Sequence, residues 1–202
     1  MTVRRVVDAD RPEPDALDAA AAVLKSGGIV AFPTESFYGL GADALAPAAV
    51  RRIFEVKGRP ETKPLLVLVD SIAQALALAV APSAGARALM ARHWPGPLTL
   101  VLRAAPTVPV EVTAGSGTVG VRVPGHAVAL GLVRAAGRPV TAPSANPSGA
   151  PPPTLAAEVA RLFPGTLDLI LDGGATTGGE GSTVADCTLW PPRILRQGPI
   201  RL

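Results

Sequence analysis

An α/β domain, with helices packed on a mixed parallel and antiparallel sheet, is the fold class this sequence predicts, on three observations. Segments with helical spacing alternate along the chain with short apolar or period-two runs. Several connections between strand-like runs are too short for a helical crossover, which forces antiparallel pairs in among parallel ones. Finally, 202 residues at 48% hydrophobic and 17% charged suffice to bury about 70% of the unfolded surface in one core. No repeat or disordered linker divides residues 1–202, so a single domain is expected. Gly 21 and Pro 22 give roughly a fifth of the chain, loop-rich yet short of low complexity.

In order, Leu17, Ala20, Ala21 and Leu24 mark a helix over 14–26, which Gly27 and Gly28 stop. Residues 28–33 follow as a buried strand. A helix over 48–56, a strand over 64–69, helices over 71–80 and 83–93, and a strand over 98–102 come next. Residues 118–123 alternate as a strand, 127–136 are helical, and 139–142 begin a strand that leaves into Pro143-Ser144-Ala145-Asn146. A helix over 154–162 and strands over 167–171, 182–189 and 194–196 complete the pattern.

Several function classes drop out early. The apolar run over 64–80 is broken by Asp70, Ser71 and Gln74, short of the ~18 residues a membrane span needs. Arg4, Arg5, Asp8 and Asp10 precede any apolar segment, so no secretory h-region is expected and the location reads as cytoplasmic. One cysteine, Cys187, and two histidines, His93 and His126, are too few for a disulfide or a structural metal site. Cys187 reads as a small core residue, and both histidines read as structural.

The net charge of +3 matters less than its position. Arg51, Arg52, Lys57, Arg59 and Lys63, against Glu55 and Glu61, carry that whole excess around a Gly58-Arg59-Pro60 turn. A solvated helix end and an anion site both fit, because arginine offers a planar fork and lysine a point charge. Polar segments leave two buried strands: Thr34-Glu35-Ser36 with Tyr38-Gly39, and Ser144-Ala145-Asn146 with Ser148-Gly149. These hydroxyls either contact a ligand or cap their own turns, with Glu35 facing water. Residues 172–183 are glycine-dense and read either as a phosphate nest or as a mobile hairpin. They lack the P-loop and Rossmann spacings, and no nucleophile elbow is present.

Together these segments resemble the YrdC-type threonylcarbamoyl-adenylate synthases. The resemblance rests on Pro33-Thr34-Glu35-Ser36 with Tyr38-Gly39-Leu40-Gly41, Lys57-Gly58-Arg59-Pro60, Trp94-Pro95-Gly96-Pro97, Val121-Arg122-Val123-Pro124, Ser144-Ala145-Asn146, Asp172-Gly173-Gly174, Ser182-Thr183-Val184 and Ile194-Leu195-Arg196. It spans nearly the whole chain and implies a twisted mixed sheet with a concave, positive face. The implied reaction condenses L-threonine, bicarbonate or CO2, and ATP into L-threonylcarbamoyl-AMP and pyrophosphate, toward N6-threonylcarbamoyladenosine in tRNA. Lys57 and Arg59 would be catalytic. With Lys63, Thr118, Ser144, Asn146, Ser182 and Arg196 they would hold ATP or the adenylate, while Thr34, Ser36, Arg122 and the Ala142 backbone would hold threonine. Mg2+ would arrive with ATP rather than in a protein cage. A downstream threonylcarbamoyl transferase complex, weak RNA binding and no membrane are further implications.

The chain departs from the family's pattern at Ser36, where relatives carry Thr, at Lys63, where many carry Asn, at Leu68, where many carry His, and at Pro152, where some carry Ser. It ends at Leu202, so closure of the site is expected from loops or a partner rather than from the extra C-terminal domain of longer relatives. Two rival functions are a non-catalytic RNA-binding module and carbamoyl transfer to another acceptor. The 3% aromatic content leaves few stacking platforms for RNA.

Overall fold

The computed structural model describes residues 2–202. Its elements are β1 (Val3–Val6), α1 (Pro14–Lys25), β2 (Val30–Pro33), β3 (Tyr38–Gly41), α2 (Pro47–Lys57), β4 (Leu66–Leu68), α3 (Ile72–Ala77), α4 (Ala84–His93), β5 (Leu98–Arg103), α5 (Val110–Thr113), β6 (Thr118–Arg122), α6 (Ala127–Ala136), β7 (Val140–Thr141), α7 (Ala156–Leu162), β8 (Leu169–Asp172), β9 (Thr183–Asp186) and β10 (Arg193–Arg196).

The strands form two mixed ladders, ordered β1-β8-β2-β3 and β10-β9-β5-β6-β4-β7. In the first, β8 runs parallel to β1 and β2 while β3 returns antiparallel. In the second, β5 pairs antiparallel with β6 and parallel with β9, and β4 pairs parallel with β6 and antiparallel with β7. Antiparallel bridges Gly39↔Ser144 and Asp43↔Val140 stitch the end of one ladder to the other. The expected mixed sheet is therefore present, interrupted at the β3–β7 seam.

Two apolar cores follow from the helix faces. Ala16, Ala20, Ala21 and Leu24 of α1 and Val128, Ala129, Leu132 and Val133 of α6 bury against Val30, Phe32, Leu169 and Leu171 of β2 and β8. On the other side, Val50, Ile53 and Phe54 of α2 pack with Tyr38, Leu40, Val67, Leu100 and Val121. A spacing of three and four residues places each helix's apolar set on one stripe.

Three elements lie outside the expectations from sequence. β1 is an edge strand with three of its four residues exposed, so it carries no buried alternation to detect. β3 reads Tyr-Gly-Leu-Gly, and glycine normally argues against a strand. Here a Cβ on Gly41 would stand 2.8 Å from both Phe32 Cε1 and Val140 Cγ1, so the close approach of β2 and β7 requires glycine. α5 is a single turn of four residues after Pro109, too short to show periodicity.

Candidate active site

A cavity of ≈ 490 Å³ opens beside the β3–β7 seam. Nine of the twelve residues singled out from sequence line it: Thr34, Ser36, Arg59, Thr118, Arg122, Ala142, Ser144, Ser182 and Arg196. They arrive from six places in the chain: the β2–β3 connection, the turn after α2, β6, the exit of β7, the approach to β9, and the end of β10. A second cavity of ≈ 320 Å³ shares Ser36, Arg122 and Ser182 with the first and adds Glu35, Thr177 and Glu180.

Arg122 is the most constrained of the cations. It ends β6, keeps 4% of its surface exposed, and donates from Nε to the Gly96 carbonyl at 2.8 Å. Its Nη2 pairs with Glu35 Oε1, which also accepts the Gly125 N–H at 2.6 Å. Burial alone would raise the Glu35 carboxyl, but the Arg122 charge and the backbone N–H bonds outweigh it and hold the group below the usual carboxylate range. Glu35 thus faces a cation rather than water, and the sequence offered no sign of it beyond an acid inside a polar strand exit. The Trp94-Pro95-Gly96 segment supplies the Gly96 carbonyl, and Trp94 Nε1 donates to Leu98 O at 2.6 Å.

The cluster of five cations disperses. Arg51 pairs with Glu111 of α5, and Arg52 donates to Gly27 O at 2.7 Å and contacts Asp168. Lys63 is exposed and outside the cavity lining. Lys57, expected as a catalytic contact, is also absent from the lining. It is 3% exposed, and its Nζ donates to the carbonyls of Ser144 and of Asn146, the latter at 2.5 Å. Burial, and secondarily Arg59, pulls its amine down to about 8. Asn146 follows it inward: Nδ2 donates to Ala150 O at 2.6 Å and to Pro147 O at 3.0 Å, while Oδ1 is buried without a partner. These two side chains shape the loop that presents Ser144. Only Arg59 of the five reaches the cavity, on the far side of a left-handed Gly58 (φ 56°) that turns the chain out of α2. Arg59 Nη2 donates to Pro64 O at 3.0 Å, and its Nε is buried without a partner.

On the opposite wall Arg196 donates to Ser182 O from Nε and Nη2, at 3.0 and 2.8 Å, and to Ser182 Oγ at 3.1 Å. Ser182 Oγ lies 2.8 Å from Thr99 Oγ1. Burial lowers the Arg196 guanidinium from its ordinary value, and Arg122 adds to that. Thr34 Oγ1 donates to Phe37 O at 2.6 Å, so this residue both caps its turn and lines the cavity. Thr118 Oγ1 lies 2.9 Å from Ser116 Oγ. The Ala142 N–H is spent on Leu66 O at 2.8 Å.

The glycine-dense segment is tied to the strand exit that follows β2 and brings Gly181 and Ser182 to the cavity. Thr176 Oγ1 and Gly178 N both donate to Ser36 O at 2.8 Å, and Thr177 Oγ1 donates to Glu35 O at 2.6 Å. It is a wall bonded to the Glu35–Ser36 backbone. Tyr38 of β3 anchors its start, donating from its buried hydroxyl to Gly174 O at 2.7 Å.

Residues 22–198 match the family described as Telomere recombination, Sua5_yciO_yrdC. The chain belongs to the Sua5/YciO/YrdC family. Within it, the chain is similar to the threonylcarbamoyl-AMP synthase of Pyrococcus abyssi, 49% identical over 193 residues, 96% of this chain and 57% of the relative. It is likewise similar to the threonylcarbamoyl-AMP synthase of Bacillus subtilis, 47% identical over 182 residues, 90% of this chain and 53% of the relative. The crystal structure of P. abyssi Sua5 complexed with L-threonine superposes with a TM-score of 0.93 at 48% identity, covering 96% of this chain and 57% of that one. The chain therefore spans somewhat over half the length of these Sua5-family relatives. The twisted mixed α/β architecture implied by the family resemblance is the one found. No helix among the described residues is long and apolar enough to cross a membrane.

Proposed function

We propose that this chain carries the active site of an L-threonylcarbamoyladenylate synthase, condensing L-threonine, bicarbonate or CO2, and ATP into L-threonylcarbamoyl-AMP and pyrophosphate. The observation that carries this reading is charge: Arg59, Arg122 and Arg196 line one cavity together with hydroxyl-bearing residues that include Thr34, Ser36, Thr118, Ser144 and Ser182, and no carboxylate. Such a surface suits a polyanion and a small carboxylate together.

The chemistry follows from those placements. The threonine amine adds to CO2 with loss of a proton, and one carbamate oxygen attacks the α-phosphorus of ATP as the bond to pyrophosphate breaks. Two anions must meet, so positioning and fixed positive charge supply most of the acceleration. Arg59 and Arg196, from opposite walls, face the phosphates along with Thr118, Ser144 and Ser182. Arg122 takes the threonine carboxylate beside Ser36, Thr34 and the Ala142 backbone. Lys57 and Asn146 act through the Ser144 loop they hold, and Lys63, exposed and next in the chain to the lining residue Pro64, adds a further charge for ATP. The lining's lack of a carboxylate does not fit a protein-held Mg2+, so Mg2+ is assigned to the substrate, as the companion of ATP. The product is an activated mixed anhydride, which calls for a downstream threonylcarbamoyl transferase that modifies tRNA in the cytoplasm.

Pyrophosphate release by the purified chain tests the reading. Release should require ATP, L-threonine and bicarbonate together. Release independent of threonine, or none with all three present, would overturn it.

A further inference from the structure

Glu35 belongs to neither anion wall, and its surroundings are unusual for a carboxylate. One oxygen, Oε1, is fully used: it accepts the Gly125 N–H at 2.6 Å and pairs with Arg122. The other, Oε2, is shut off from water and has no hydrogen-bond partner among the described residues. Leaving a buried charged oxygen unpaired is costly, so a donor is expected to arrive from elsewhere. The side chain keeps 27% of its surface exposed and lines the ≈ 320 Å³ cavity that shares Ser36, Arg122 and Ser182 with the larger one. The last torsion of a glutamate is soft, so a small rotation of the carboxylate, which carries both oxygens, opens Oε2 to a donor that enters there while Oε1 stays against Arg122.

We propose that Glu35 is the acceptor for the amino nitrogen of the amino-acid substrate, and so selects α-amino acids over other small carboxylates. The proposal rests on the reading that L-threonine is a substrate. A guanidinium and a carboxylate in contact match the two charges of an α-amino acid: the substrate carboxylate goes to Arg122 and its ammonium to Glu35. The pair and the zwitterion are each neutral, so the match adds no net charge to a site already facing Arg59 and Arg196. Burial raises the Glu35 carboxyl but the Arg122 charge and the Gly125 N–H work against it and keep it below the usual carboxylate range, as an ammonium acceptor must be.

The same contact survives the chemistry. After the amine adds to CO2, the nitrogen keeps one N–H, and that hydrogen still points to Oε2. Holding it there fixes the rotation about the Cα–N bond and turns the carbamate oxygens away from the Glu35 charge, toward the arginine-lined cavity. Glu35 is thus a positioning residue. A structural reading competes with this one, in which Glu35 only keeps Arg122 in place.

Titration calorimetry with two ligands separates them: L-threonine and (R)-3-hydroxybutanoate, the same acid without the amino group. The wild-type chain should prefer threonine by at least about tenfold, the size of one charge-assisted hydrogen bond. Glu35→Gln, which keeps the shape and an oxygen for Gly125 N–H, should shrink that preference to within about threefold. Glu35→Asp keeps the charge but withdraws it by one methylene, and should fall between; it carries the test if Glu35→Gln melts early. If both ligands weaken in parallel and the preference persists, Glu35 only props Arg122 and the proposal fails while the threonine reading stands. If wild-type protein does not bind threonine at all, both fall.

Discussion

Arg122 and Arg59 line one cavity under opposite constraints. Arg122 issues from β6 inside a six-stranded ladder, with its Nε on Gly96 O and its Nη2 on Glu35. Arg59 follows a left-handed turn and holds one hydrogen bond, to Pro64 O, while its Nε has none. The first is fixed before any ligand arrives, and the second has bonding capacity in reserve. A small rigid carboxylate profits from the former, because preorganisation removes the ordering cost at the moment of binding. A flexible triphosphate profits from the latter.

The neighbouring lysine should produce the largest effect. Lys57→Met strands the Ser144 and Asn146 carbonyls that its ammonium bonds. At ~1–3 kcal/mol for each orphaned group, a loss of roughly 3 kcal/mol is expected, or about 6–12 °C in Tm for a chain of this size. Pyrophosphate release should fall at least ~100-fold as the Ser144 loop shifts. The pH dependence has a definite sign. The folded amine sits at about 8 against 10.5 when free, so between those values the unfolded chain binds more protons and stability rises with pH. The stability gap between wild type and Lys57→Met should widen as pH climbs through that window. A flat gap would mean that Lys57 is not buried as a charge.

Arg59→Ala sharpens the contrast, because it should also lower pyrophosphate release by ~100-fold yet leave Tm nearly unchanged, since Arg59 braces only an exposed turn. Wild-type turnover in a folded variant would remove Arg59 from the phosphate wall.

Arg122→Lys should raise the threonine KM by roughly tenfold or more, about 1.4 kcal/mol, with the ATP KM within a few-fold. A lysine keeps the charge near Glu35 but cannot reach Gly96 O and present a fork at once, so Tm should drop as well. Equal rises in both KM values would reduce Arg122 to scaffold.

How far the sequence foretold these roles depended on whether a residue's task was local. The helix over 127–136 was legible to the residue because its apolar stripe and the stop at Gly137 are both written in eleven consecutive positions. β6 emerged from its alternation, and Arg122 with it. β3 was hidden, since its glycines answer to Phe32 and Val140, which are neighbours only after folding. Lys57 was misplaced for the same reason, its amine being claimed by Ser144 and Asn146, and Glu35, left open between a ligand contact and water, is claimed by Arg122 and Gly125, all distant in the chain. The motifs marked which segments converge. They did not say which cation would face the cavity and which would turn inward to hold a loop.

Cys187 provides the control at the small end of the scale. It lies 5% exposed just past β9, beside a cavity of ≈ 180 Å³ that shares no lining residue with the arginine-lined one. Burial, and then Asp186, pushes its thiol up to about 11, so almost none is thiolate at neutral pH, and the nucleophilic form is what reacts. Cys187→Ser exchanges a small apolar group for a hydroxyl in that core, which should destabilise by about 1 kcal/mol and lower Tm by roughly 2–4 °C. Pyrophosphate release should stay within about twofold of wild type. Iodoacetamide should leave native protein unmodified and label it only once unfolded. Loss of turnover in a variant that still melts cooperatively would tie this distant wall to the arginine-lined site and break the separation between them.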